Sequence, residues 1–297
     1  MMKNILSLVL LFLVTSVFAQ IPQAEKEAML DFYESTNGPH WIRKWNLKKP
    51  VAEWHGVTVE NNHVVEIDLF QNNLQGPLPT TLGNLKHLKV LNLALNNITG
   101  ELPESIVALS DMKVFRIEVN RLKGELPEQM GQMASLEELT MFNNFLAGAI
   151  PESIGELKNL KVLNLSSNNL RGEIPGSIGE LAQLENLGLF DNTLFGEIPT
   201  DIGKLSNLKE LVLANNHLGG DVPTEIGQLA GLEILQIQNN RFNSVENLYK
   251  MDANQFLVFD FDRADDEKFK DINFSKTRMA DTKFDDEEED DNNNNKN

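Results

Sequence analysis

The sequence runs to 297 residues with a net charge of −18 and contains no cysteine. Without cysteine there is no disulfide, no thiol nucleophile and no cysteine-ligated zinc, so stability must come from buried apolar surface. So acidic a surface repels phosphate backbones and argues against nucleic acid as a partner.

At the N-terminus, Lys3 precedes an almost wholly apolar run from Ile5 to Val14, and Val17 and Ala19 flank Phe18 just before Gln20. That layout predicts a secretory signal over residues 1–19, cleaved after Ala19. The run is shorter than the ~20 residues of a membrane span, and no later segment is more apolar. The expectation is a protein with no membrane span, released to the periplasm, the cell surface or the medium.

Residues 20–63 read as a helical cap. Ala24, Ala28, Met29, Phe32 and Tyr33 share one face of a predicted helix over 24–36, and Asn37-Gly38 is a good stop. All three tryptophans follow, at Trp41, Trp45 and Trp54. Their rings suit either the sealing of a core or, as the weaker reading, stacking on a sugar.

From residue 64 to 248 the chain repeats itself. Asn72, Asn96, Asn120, Asn144, Asn168, Asn192, Asn216 and Asn240 are each 24 residues apart. Glycine recurs four positions after each of the first seven, from Gly76 to Gly220, and proline seven positions after, from Pro79 to Pro223. Before every Asn stands an apolar-x-apolar pair, such as Leu91/Leu93 or Leu163/Leu165. The pair has strand periodicity and points both side chains inward. The Asn amide can satisfy buried backbone groups where the chain turns off the strand, giving a ladder from coil to coil. Glycine permits a backbone that other residues resist, and proline ends strand pairing at that corner. Segments such as Ile178-Gly179-Glu180-Leu181 then fit a short 3₁₀ turn. One such coil cannot bury its own apolar face, whereas a stack can.

The run Leu160-Lys161-Val162-Leu163-Asn164-Leu165-Ser166-Ser167-Asn168-Asn169-Leu170-Arg171-Gly172-Glu173-Ile174-Pro175 resembles the plant-type leucine-rich repeat, LxxLxLxxNxLxGxIP. The resemblance implies an α/β solenoid: a right-handed coil with a parallel inner sheet on its concave side and eight regular coils. Glu53-Trp54-His55-Gly56-Val57-Thr58-Val59 resembles that family's CxWxGVxC cap, with Ala52 and Val59 at the two cysteine positions. Such a cysteine-free cap is similar to those of secreted bacterial members. The family's roles are recognition and scaffolding.

Past Asn240 the pattern degrades, with Ser244 for the glycine and Asn247 for the proline. Phe256, Phe259 and Phe261 stand 24 residues after Leu232, Leu235 and Ile237, so residues 249–264 read as a C-terminal cap carrying a degenerate ninth strand, with Ala264 at its Asn position. Residues 265–297 form an acidic tail. Residues 251–297 hold fifteen Asp and Glu against seven Lys and Arg, a composition that buries too little apolar surface to order itself.

No catalytic motif emerges. His40, His55, His63, His87 and His217 show no metal-ligand spacing, and the recurrent glycines follow the 24-residue period rather than a phosphate loop. The expectation is no enzyme activity, no cofactor and no metal. Binding is expected instead on the concave face, where the columns outside the core positions bring together Phe70, Leu95, Arg116, Glu118, Phe142, Phe190 and Asp191. Exposed phenylalanine on an open surface marks a contact site. The partner class is a protein or a glycan, bound by a monomer, and the alternative is an envelope scaffold with no discrete ligand.

Overall fold

The computed structural model describes residues 21–262. The signal segment at 1–19, Ala264 and the acidic tail at 265–297 lie outside the described residues.

The apolar-x-apolar pairs build one sheet of ten short strands: β1 (Val57–Glu60), β2 (His63–Asp68), β3 (Val90–Asn92), β4 (Val114–Arg116), β5 (Glu138–Thr140), β6 (Val162–Asn164), β7 (Asn186–Gly188), β8 (Glu210–Val212), β9 (Ile234–Gln236) and β10 (Val258–Asp260). Strands β2 to β10 are parallel, and β1 pairs antiparallel with β2. The register follows the repeat, with Leu163 opposite Leu187 and Leu211 opposite Leu235. Equivalent side chains therefore stack on one another. Their inner members join the leucines and isoleucines of the 3₁₀ turns in one core that runs from Ala28 to Phe261.

A second sheet adds to the sequence expectation. The residues after seven of the eight ladder asparagines form short parallel strands, from Gln75–Pro77 to His217–Gly219, along another side of the stack. Each of these strands ends before the recurrent proline, which stands at the corner beyond it. In most of them, alternation puts an apolar residue such as Ile98, Leu146 or Leu170 into the core and its two neighbours outward. Gly148 shows why five of the seven strands end on glycine. Its φ is +76°, and a Cβ there would lie 2.7 Å from the Glu125 side chain of the preceding coil.

At the N-terminal end, helix α1 (Gln23–Ser35) and the loop after it carry an aromatic cluster of Phe32, Tyr33, Trp41, Trp45 and Trp54, with ring centroids 4.7–6.1 Å apart. The three tryptophans are buried, and their indole N–H groups donate to the carbonyls of Thr36, His55 and Lys49. None presents an open ring face, so the sugar-stacking reading gives way to the sealing one. Glu25 ties α1 to β2 by accepting from the Val64 N–H at 2.9 Å and pairing with His63 at 2.5 Å. At the other end, β10 pairs with β9 in register, Phe259 opposite Leu235. Phe259 and Phe261 are buried, and Phe256 stacks on Phe259 at 4.3 Å.

Candidate functional site

The site can be built from the Asn turn outward. Asn168 shows the pattern: its Oδ1 accepts the N–H of Leu146, and its Nδ2 donates to the carbonyls of Met141, Leu165 and Ser166. Each amide thus joins its own turn to the coil before it. The same bonds recur from Asn96 to Asn240, while Asn72, in the first coil, bonds the backbone of Arg43 in the cap. These turns hold the outward columns of the ten-stranded sheet at a fixed pitch.

The residue just before each Asn is not part of an open strand face. Gln71, Leu95, Val119, Asn143, Ser167, Asp191, Asn215 and Asn239 all have φ between +48° and +56°. They are the left-handed corner of the turn, so Leu95 and Asp191 lie on the rim, beside the face and not within its strands. Asn and Asp suit this backbone, whereas Leu95 and Val119 are strained in it.

The face itself changes character along the stack. In the first coil Phe70 is 49% exposed, with its N–H donating to Asp68. In the middle, Arg116 forms two parallel hydrogen bonds to Glu138, at 2.6 and 2.8 Å, which hold its guanidinium above its ordinary range. Beside it, burial pushes the Glu118 carboxyl up, opposed by the hydrogen bond from the Thr140 hydroxyl at 2.7 Å and by the charge of Arg116.

Farther along, Phe142 and Phe190 are half-buried, so these two rings differ from the fully open ones expected of them. Phe190 and Val162 pack against a small cluster of Val212, Ile234 and Val258, separate from the main core. Neighbouring coils supply that cover, which the spacing within one coil does not reveal. Between the two rings lies Ser166, whose hydroxyl is buried without a partner among the described residues, as are Oε1 of Gln236 and of Gln238. The expected site residues therefore fall into three places: Phe70 near the cap, the Arg116–Glu118 charge cluster, and the Phe142–Phe190 stripe.

Two histidines that looked scattered are neighbours. His63 and His87 are 24 residues apart, which in this fold is the next coil, and their rings lie 4.1 Å apart. Each faces a carboxylate, Glu25 and Asp111 respectively. Among the described residues no group of three or more His, Cys, Asp or Glu is disposed to hold a metal ion, and no helix is long and apolar enough to cross a membrane.

Stacked coils, a parallel sheet with an Asn ladder along its edge and a capped end define a repeat solenoid. A family model described as "Leucine-rich repeat region" matches residues 69–165 and 144–258. The chain belongs to the leucine-rich repeat proteins. Among solved structures it is similar to the leucine-rich-repeat ectodomain of the plant membrane receptor kinase GASSHO1/SCHENGEN3 from Arabidopsis thaliana, in complex with CASPARIAN STRIP INTEGRITY FACTOR 2. That match has 32% identity and a TM-score of 0.75, over 79% of this chain and 29% of that one. It is similar also to PEPR1 in its complex with AtPEP1, at 27% identity and a TM-score of 0.70, over 81% of this chain and 36% of that one. The Arabidopsis receptor kinase HAESA, in complex with the peptide hormone IDA and the co-receptor SERK1, matches at 35% identity and a TM-score of 0.57, over 59% and 29%. The chain thus spans about a third of the length of these ectodomains.

Proposed function

We propose that this protein is a non-catalytic recognition module, acting outside the cytoplasm as a monomer, that binds a peptide or a segment of a protein along the outward, concave face of the ten-stranded sheet. The observation that carries the reading is the pairing of an apolar stripe with unused acceptors. The half-buried rings of Phe142 and Phe190 share this face with the partnerless oxygens of Ser166, Gln236 and Gln238. A buried acceptor without a donor costs about 1–3 kcal/mol, and the N–H groups of an extended peptide would recover that while its side chains cover the apolar stripe. The similar receptor kinase HAESA, in complex with the peptide hormone IDA, supports this class of partner. The bidentate Arg116–Glu138 pair and the Thr140–Glu118 bond leave the middle of the face a set of fixed charges suited to choosing among ligands.

A library of displayed random peptides, panned against the full-length mature chain, tests the proposal. Selected peptides should bind saturably and lose binding to the Phe142→Ser/Phe190→Ser variant, which should still unfold cooperatively. Peptides that bind this variant as well as the parent would sink the concave-face assignment, as would selection of glycans and no peptides on parallel glycan arrays.

A further inference from the structure

The second sheet carries a surface of its own, unlike the rest of this acidic protein. Most of its outward positions are the first and third residues after each ladder Asn. Across the seven strands and the coil that follows, these sixteen positions contain Arg121, Lys123, Arg171 and Arg241 and no carboxylate, while Glu197, the last residue of Thr193–Glu197, also faces outward. Two large rings stand among them, Phe145 at 56% exposure and Phe195 at 50%. The pairing places them against basic neighbours, with Lys123 opposite Phe145 and His217 opposite Phe195. The strand with Arg171 runs between the two ring-bearing strands.

Both the rings and the charges are unused. The four basic side chains make no ion pair among the described residues, although ten such pairs occur elsewhere. Carboxylates do stand nearby, but they are turned aside. Glu101, Glu125, Glu173 and Glu197 lie across the glycines of the following coil, within 2.6–2.8 Å of where a Cβ would be. They form an acidic ridge beside the basic strip. Exposed aromatic side chains flanked by unpaired cations, in a chain of net charge −18, are the inverse of a surface selected only for solubility.

We propose that this face of the second sheet is a docking surface for an extended acidic peptide segment that carries apolar side chains. Charge complementarity selects the occupant. Carboxylates meet Arg171, Lys123 and Arg121, apolar side chains cover Phe145 and Phe195, and the parallel ridge of Glu101, Glu125, Glu173 and Glu197 rejects segments whose acidic groups fall off the basic strip. This surface is separate from the ten-stranded face, so the protein would engage two partners, or two parts of one.

Fluorescence anisotropy of the full-length mature chain with a labelled peptide of glutamates interrupted by two leucines tests the docking. Saturable binding is expected, weakened about tenfold or more by Arg171→Glu and by Phe145→Ser/Phe195→Ser, with melting curves unchanged. Phe142→Ser on the other sheet should leave it untouched. Three results would overturn the proposal. An all-glutamate peptide binding equally well would show a mere polyelectrolyte effect, and indifference to Arg171→Glu would place the peptide elsewhere. In a full-length variant with residues 285–291 changed to Asn and Gln, binding about tenfold tighter would make the chain's own acidic segment the occupant.

Discussion

Replacing Asn168 with alanine removes four hydrogen bonds from the middle of the stack, but they are not of equal value. The N–H of Leu146, buried and 3.0 Å from Asn168 Oδ1, loses its acceptor outright. The carbonyl of Met141 also accepts from Asn144, that of Leu165 also accepts from Asn192, and that of Ser166 also accepts from the N–H of Asn143. One orphaned donor costs about 1–3 kcal/mol and each partly served carbonyl roughly half that or less, so the substitution should cost about 3 kcal/mol. The shared carbonyl gives a sharper test. In Asn168→Ala/Asn192→Ala the Leu165 oxygen loses both amides, so the double variant should exceed the sum of the singles by on the order of 1 kcal/mol. Denaturant unfolding followed by circular dichroism and by tryptophan fluorescence measures all three. A single cost below about 1 kcal/mol, or additivity within about 0.3 kcal/mol, would refute the account of the ladder as a set of shared bonds.

Other outcomes follow from the same structure. Leu95→Asn and Val119→Asn relieve left-handed strain at φ +54° and +53° and should each add about 1 kcal/mol, or roughly 2–4 °C in Tm; a fall in Tm would show that the side chains are held there by packing. Trp41→Ala removes a buried ring and the donor to the Thr36 carbonyl, and should cost about 3–5 kcal/mol in thermal unfolding. Because burial holds the Glu118 carboxyl above the usual 4.5, the folded state binds its proton more tightly than the unfolded state. Glu118 therefore favours folding at acid pH, and that contribution is lost as pH rises through the raised value. The Tm of Glu118→Gln relative to the parent should accordingly climb from about pH 4 to pH 7, and a decline would contradict the sign.

Much of the fold was legible because each coil must solve the same burial problem with the same residue types. Leu163, Leu165 and Asn168 recur as Leu187, Leu189 and Asn192, so the period sets both the register and the ladder. The second sheet escaped because its strands are only three to five residues long and most end at a glycine, which reads as a turn. Its signal was still present: in Asn169-Leu170-Arg171 the apolar residue is flanked by two polar ones, the alternation of a half-buried strand. The corner with positive φ was hidden in two coils by Leu95 and Val119, although Asn143, Asn215 and Asn239 announce it in others. The cover over Phe190 comes from packing against the cluster that Val212, Ile234 and Val258 form across later coils. Likewise His63 and His87 meet only because 24 residues is a contact distance here.

That last rule also explains the charges. At the position just before each strand pair, Lys113, Glu137, Lys161, Glu185, Lys209 and Glu233 alternate in sign from coil to coil. Glu137 pairs with both Lys113 and Lys161, and Glu185 pairs with Lys209. The two lysines draw the Glu137 carboxyl below its usual range. Being exposed and screened by salt, these pairs add little to stability one by one. Their pattern nonetheless addresses a hazard specific to this architecture. Coils so alike could stack with one looped out, and the apolar core would hardly register the loss. Omitting the coil of Glu137 would press Lys113 against Lys161, and omitting that of Lys161 would press Glu137 against Glu185. The alternation thus opposes every single-coil omission across this stretch, a discrimination that the leucines, identical from coil to coil, cannot supply.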